Sequence, residues 1–193
     1  MKCLKDGVSA PSLRRYRRTE LETRFKSLTG QGGRSIIYWF VVVLSVIVDQ
    51  VTKAAAREVL EQTSSVLVPG IINLVHVENT GAAFSFLEGG SAFFVVLAIV
   101  LITAITAFVW KTEDLPLYLV VPLGLVAGGG MGNMIDRVID GSVTDFIAAA
   151  FIDFPVFNVA DMCVTVGVFL CFFAFLRWDA KNEAVSLDGQ SHA

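Results

Sequence analysis

Four long apolar runs, about Ser35 to Ala54, Ser91 to Trp110, Leu117 to Ile139 and Phe157 to Trp178, govern what this 193-residue chain can fold into. Each approaches the roughly 20 residues that a helix needs to cross a hydrocarbon core, where every backbone N–H and C=O must find its partner within the segment. The expected fold class is an α-helical integral membrane protein with four transmembrane helices. Composition agrees: a chain 54% hydrophobic, with fifteen phenylalanines, is too apolar for an ordinary soluble domain of this length.

The formal net charge of -3 carries little information, but the placement of charge carries much. Nine of the fifteen basic residues precede Ser35, among them Arg14, Arg15, Arg17, Arg18, Arg24, Lys26 and Arg34. The positive-inside rule assigns this tail to the cytoplasm, and an even number of spans returns the C-terminus there. The link Lys111 to Pro116 is then cytoplasmic, while Arg57 to Gly90 and Asp140 to Val156 lie outside. The organisation expected is a basic cytoplasmic tail over 1–34, a four-span domain over 35–178 and a cytoplasmic C-terminal tail over 179–193. The run after the tail is long and lacks a small-x-small cleavage site followed by a soluble domain, so it reads as a retained helix and not a cleaved signal peptide. Met1 to Gly33 holds no recognisable nucleic-acid module and precedes a span. It reads as a topology signal touching membrane lipids, with no nucleic-acid partner.

The first outer segment patterns as a hairpin: Ser64 to Val68, the turn pair Pro69-Gly70, then Ile71 to Val77, with Leu74, His76 and Glu78 alternating against Val75 and Val77. A small extracytoplasmic β-sheet platform at the membrane surface is expected. The second strand runs into Asn79-Thr80-Gly81-Ala82-Ala83-Phe84, where asparagine and glycine permit tight geometry. This segment reads first as a structural turn capping the second span, and second as a presenter of backbone donors to an extended peptide.

Asp49 and Lys53, four apart, share a helix face and can pair where the first helix leaves the membrane. Alone, that is an ion pair anchoring a helix end. Gly124, Gly128 and Gly132, with Gly129 and Gly130, let a neighbouring helix approach the third span closely. Packing does not explain Asn133-Met134-Ile135-Asp136-Arg137 directly after them. Asn133 and Arg137 share a face, and a fixed guanidinium can organise carboxylates or peptide carbonyls.

Two acids flank a short outer segment: Asp145 in Val143-Thr144-Asp145-Phe146, and Asp161 closing Phe157-Asn158-Val159-Ala160-Asp161. Each has a bland reading. Asn158 with Asp161 resembles a capping box at the start of the last helix, and Asp145 is a solvated loop acid. Brought within hydrogen-bond reach, however, two carboxyls cannot both ionise cheaply. The ionised one can take a proton from water while the protonated one polarises a carbonyl. Asp140 and Asp153 are competing acids that spacing does not exclude. Other chemistries lack parts. Gly89-Gly90-Ser91-Ala92 is no GxSxG elbow, and the apolar spans hold no histidine to serve as base. Cys3, Cys163 and Cys171 form no CxxC or disulfide framework, the latter two reading as small hydrophobes. With only His76 and His192 available, no metal and no other cofactor is expected.

Five blocks taken together are distinctive: Asp49-Gln50-Val51-Thr52-Lys53, Asn79 to Phe84, Gly128-Gly129-Gly130-Met131-Gly132-Asn133-Met134-Ile135-Asp136-Arg137, Val143 to Phe146, and Phe154-Pro155-Val156-Phe157-Asn158-Val159-Ala160-Asp161. In this order on four spans, over about Ser35 to Trp178, they resemble the lipoprotein signal peptidase family, also called signal peptidase II. The resemblance implies a bacterial inner-membrane aspartyl endopeptidase that removes signal peptides from diacylglyceryl-modified prolipoproteins, cutting just before the lipidated cysteine. It implies Asp145 and Asp161 as the catalytic acids at the extracytoplasmic face, with Asp136 supporting. It gives supporting or substrate-contacting roles to Asp49, Lys53, Asn79, Gly81, Gly129, Asn133, Arg137, Asn158 and Ala160. Beyond substrate and membrane lipids, no obligatory protein partner is expected. The chain departs from the family pattern in its long basic tail and in the compact segment between the two acids. A four-helix transporter or channel would place polar groups through the membrane depth, yet the second and fourth spans are nearly all apolar in the middle. A non-enzymatic assembly protein built on the glycine stripe would leave the five polar blocks without a purpose.

Overall fold

A computed structural model describes residues 30–60, 64–81, 90–113 and 115–191, with side chains as far as Trp178. In chain order the elements are α1 (Gln31–Leu60), β1 (Ser65–Val68), β2 (Ile72–Asn79), α2 (Ser91–Lys111), α3 (Leu117–Ile139), β3 (Val143–Ala149) and α4 (Val159–Ser191). All four helices are long and apolar enough to cross a membrane, α4 over its portion Val159–Trp178. The arginines and lysines of the tail before Gly30, and the Ala82-Ala83-Phe84 half of the turn, lie outside the described residues.

Burial is inverted relative to a water-soluble protein, as a hydrocarbon solvent demands. Asp49 and Lys53 are 0% exposed, whereas Ile36 is 71% and Phe169 62% exposed. The first helix runs past the expected span to Leu60, so Arg57, expected at the head of the outer segment, sits in its last turn. The stretch Ala54-Ala55-Ala56-Arg57-Glu58 consists of strong helix formers, and nothing stops the helix at the edge of the apolar run.

The third helix is the central one, packed against the other three, and its glycines explain how. A Cβ on Gly128 would lie 2.7 Å from Ser45 Cβ on α1, and one on Gly129 would overlap the Ala160 carbonyl oxygen on α4. Glycine is therefore required on two sides of α3. Away from the sheet, Tyr38, Val42, Leu119, Leu123 and Ala127 form the main apolar core. The Tyr38 hydroxyl is satisfied there by Thr106 Oγ1 at 2.8 Å.

The sheet has the order β1-β2-β3, antiparallel throughout. Pro69-Gly70 forms the expected turn: Ile71 N–H donates to the Val68 carbonyl at 3.0 Å, and Gly70 has φ of 72°, the type II geometry that favours Pro followed by Gly. The third strand was not expected as a strand. Val143–Ala149 pairs with β2 in the register Val77↔Asp145, Glu78↔Thr144 and Asn79↔Val143. Phe157 then folds back on it, exchanging hydrogen bonds with Ile147 at 2.8 and 3.0 Å. Phe146, Leu74 and Ile147 seat the sheet on Ala56 and Leu60 of α1. This folding back brings Asn158, at the head of α4, beside Asp145.

Candidate active site

Helical spacing sets Asp49, Lys53 and Arg57 in one stripe along α1. Lys53 has three N–H donors and uses all of them: Asp49 Oδ2, Asp136 Oδ2 and Asn133 Oδ1 each lie 2.8 Å from Nζ. Lys53 and both carboxylates are buried, so this is not the interfacial anchor that the Asp49–Lys53 spacing alone suggests. The absence of a side chain at Gly132 makes room, since a Cβ there would come within 2.5 Å of Asp49 Oδ2. Asp49 Oδ1 accepts the Ala160 N–H at 2.9 Å, placing a carboxylate on the positive end of α4. Asp136 also receives Gln50 Nε2 at 2.8 Å and lies 3.5 Å from Arg57 Nη2.

The lysine fixes what lies above it. A donor-only ammonium requires the carbonyl oxygen of Asn133, so the Asn133 amide must turn its NH₂ the other way. That NH₂ meets Asp161 Oδ1 at 2.8 Å. Asp161 Oδ2 accepts the Asn158 backbone N–H at 3.1 Å, while Asn158 Oδ1 accepts the Asp161 N–H at 2.9 Å. This reciprocal pair is the capping box expected from sequence. It leaves Asn158 Nδ2 free to donate to Asp145 Oδ1 at 2.6 Å and to Asn133 Oδ1 at 3.1 Å. The second oxygen of Asp145 accepts Asn79 Nδ2 at 2.9 Å, and Asn79 in turn uses its Oδ1 on the Gly81 N–H at 3.0 Å. Asn158 thus binds both acids.

Asp145 is only 3% exposed, and burial pushes its carboxyl up to about 6; the Asn79 and Asn158 bonds work against this, while the Asp161 charge adds to it. Asp145, Asp161, Asn133 and Arg137 line one end of a cavity of about 690 Å³ that continues between α2, α3 and α4 past apolar residues such as Leu101, Ile105 and Val126. Arg137 organises carbonyls: it donates to Gly81 O at 2.7 Å and Asn133 O at 3.3 Å, with its guanidinium 5.0 Å from the centre of the Phe94 ring. Asp153 is exposed and does not line this cavity. Asp140 pairs with Arg57 at 3.2 Å.

Every site residue named from sequence except Asp153 falls in this one network or its packing, with the competing acid Asp140 only at its outer end through Arg57. Sequence reading missed Gln50, Arg57, Glu78 and Thr144. Arg57 was visible as the third member of the Asp49, Lys53 stripe. Thr144 and Glu78 were not, because their partnership depends on the unforeseen third strand.

Two acids sharing an asparagine, Asp145 buried and Asp161 partly so, set at the mouth of a groove between the helices beneath a small sheet, define a membrane protein of the aspartic peptidase class. The chain belongs to the signal peptidase (SPase) II family, whose model matches residues 41–177. Among relatives, the lipoprotein signal peptidase of Symbiobacterium thermophilum is 44% identical over 146 residues, covering 74% of this chain and 95% of the relative. That of Caldicellulosiruptor bescii is 38% identical, with 74% and 92% covered. A solved bacterial membrane enzyme, determined by the in meso method at 2.3 Å resolution, superposes with a TM-score of 0.68 at 35% identity, over 75% of this chain and 90% of that one.

Proposed function

We propose that this chain cleaves signal peptides from diacylglyceryl-modified prolipoproteins just before the lipidated cysteine, with Asp145 and Asp161 as its catalytic dyad. The observation that carries the reading is Asn158, whose side chain and backbone hold one oxygen of each acid at the polar mouth of an apolar groove. The raised Asp145 is suited to keep the proton the pair shares. Ionised Asp161 takes a proton from water as its oxygen attacks the scissile carbonyl, and Asp145 gives its proton to the carbonyl oxygen. As the intermediate collapses, Asp161 returns a proton to the leaving amine, the C–N bond breaks, and one hydroxyl of the gem-diol gives its proton back to Asp145, leaving the new carboxyl. Asn79, Asn133 and Asn158 orient the acids; Lys53, Asp49 and Asp136 orient Asn133; Gly81 and Arg137 hold the turn at the mouth.

The groove suits a substrate that arrives sideways from the bilayer. Its acyl chains then stay out of water, whose cost is about 0.8 kcal/mol per CH₂. The concentration of basic residues before Ser35 supports a bacterial inner-membrane orientation with both termini cytoplasmic and the site extracytoplasmic. In that arrangement residues 1–34 and 179–193 flank a four-span peptidase domain.

The test is cleavage of a lipidated preprolipoprotein by purified Asp145→Asn, Asp161→Asn and Asp153→Asn variants. Both dyad variants are expected to lose cleavage, and Asp153→Asn to keep it. The precursor lacking its diacylglyceryl group should stay uncut. Wild-type turnover by either folded dyad variant removes the assignment.

A further inference from the structure

The face of the sheet turned away from the groove carries a second polar chain that the dyad chemistry does not use. Glu78 stands at its centre. Its Oε2 accepts the Ser142 hydroxyl at 2.5 Å, and its Oε1 accepts the Thr144 hydroxyl at 3.1 Å and lies 2.9 Å from His76 Nε2. Thr144 is wholly buried, and its hydroxyl accepts Arg57 Nε at 2.8 Å while it donates to Glu78. Arg57 continues the chain to Asp140 and Asp136. Every partner is therefore hydrogen-bonded in one direction only: Arg57 to Thr144, Thr144 to Glu78.

The position of this chain gives it a role. Side chains alternate across a strand, so Thr144 and Asp145 point to opposite faces of β3, as Glu78 and Asn79 do on β2. Glu78 is Thr144's ladder partner, and Asn79 is the residue that holds Asp145. The ladder is irregular between Leu74 and Val77, immediately before these pairs. A slip of one residue there would exchange Thr144 and Asp145 between faces. Backbone pairing resists such a slip weakly next to a bulge; a carboxylate gripping the Thr144 hydroxyl of β3 and the Ser142 hydroxyl just before it resists it specifically.

We infer that Glu78 is a positioning residue for the reaction, pinning β3 through Ser142 and Thr144 so that Asp145 meets Asn79 and Asn158. The inference rests on the peptidase reading of Asp145. Glu78 is absent from the groove lining, so its loss acts on the placement of the acid and leaves substrate binding alone.

The experiment measures kcat and KM on a lipidated precursor for wild type, Glu78→Ala, Glu78→Gln, Thr144→Val and the Glu78→Ala/Thr144→Val double variant, with thermal unfolding of each as a check of folding. Glu78→Ala is expected to lower kcat about ten- to hundredfold, the range produced when a reacting group is misplaced by roughly 1 Å. KM should stay within about twofold. Glu78→Gln keeps an acceptor for Thr144, and Ser142 can turn to accept from its amide, so it should recover most of kcat. The double variant should be no slower than the slower single, because both remove one link. Unchanged kcat in Glu78→Ala, a loss confined to KM, a Gln variant as slow as Ala, or multiplicative losses would each overturn the inference. If Glu78→Ala does not fold, Ser142→Ala decides, a graded kcat loss supporting the pin and wild-type kcat refuting it. Wild-type protein that leaves the lipidated precursor intact would instead overturn the peptidase reading itself.

Discussion

Replacing Lys53 by Met separates the two things its ammonium does. The side chain is 0% exposed and lies 2.8 Å from both Asp49 and Asp136, which are themselves 0% and 1% exposed. Removing the cation leaves Asp136 with Arg57 at 3.5 Å, but Asp49 with neutral donors only, the Ala160 N–H at 2.9 Å and Gln50 at 3.3 Å. Breaking a buried pair from one side costs about 3–5 kcal/mol. At roughly 2–4 °C per kcal/mol for a chain of this size, the midpoint of thermal unfolding in detergent should fall by about 6–20 °C. The triple variant Lys53→Met/Asp49→Asn/Asp136→Asn removes the charges together and should regain most of that loss. It should not regain full activity, because Asn133 Oδ1 then keeps only the longer bond from Asn158 Nδ2 at 3.1 Å and loses the ammonium that holds the amide most firmly toward Asp161. Circular dichroism against temperature and cleavage of a lipidated precursor give the two readings. A Lys53→Met loss below about 1 kcal/mol would refute the burial argument. Recovery of full activity together with stability in the triple variant would refute the orienting role.

Two further outcomes follow from the same geometry. Asp145 stands at about 6 despite the Asn79 NH₂, which favours the ionised carboxylate; removing that donor in Asn79→Ala raises the acid further. A pH profile of kcat/KM should fall as pH rises through about 6 in wild type, and in Asn79→Ala this limb should move to higher pH while kcat drops; a limb that stays or moves down contradicts the sign. Adjacent glycines on α3 should behave oppositely in thermal unfolding. Gly129→Val drives a side chain into the Ala160 carbonyl and to 2.9 Å from Val164 Cγ2, whereas Gly130→Ala meets only Ile102 at 3.9 Å. The first should cost about 1–3 kcal/mol or more, and the second should stay near wild type.

The four spans were legible because a bilayer allows few ways to satisfy backbone polar groups, and the hairpin because Pro69-Gly70 encodes its own turn. The strand Val143–Ala149 was not, for a physical reason. Its alternation is broken where Asp145 and Thr144 each find polar partners on opposite faces. A strand buried and hydrogen-bonded on both sides through side chains carries no apolar rhythm to read. Arg57 lies beyond the end of the apolar run, where the helix continues through alanines that no hydrocarbon requirement dictates, so only its spacing from Asp49 and Lys53 marks it.

The Asn158–Asp161 pair shows why weighing a helix cap against a catalytic acid misstates the choice. In the proposed dyad, capping and catalysis need opposite ends of the same two side chains. The cap consumes Asn158 Oδ1 and Asp161 Oδ2, each bonded to a backbone N–H. What it leaves, Asn158 Nδ2 and Asp161 Oδ1, is thereby fixed in direction and delivered to Asp145 and Asn133. A carboxylate whose rotamer is set by its own helix terminus needs no further ordering when substrate arrives, which is the preorganisation that acid–base chemistry rewards. Replacing Asn158 by Asp would preserve the cap oxygen but lose the NH₂ that donates to Asp145 and Asn133 Oδ1, and it would place a third carboxylate against Asp145. Helix stability should then survive while turnover collapses. Equal losses of both would mean that the cap, and not the bridge, is what Asn158 supplies.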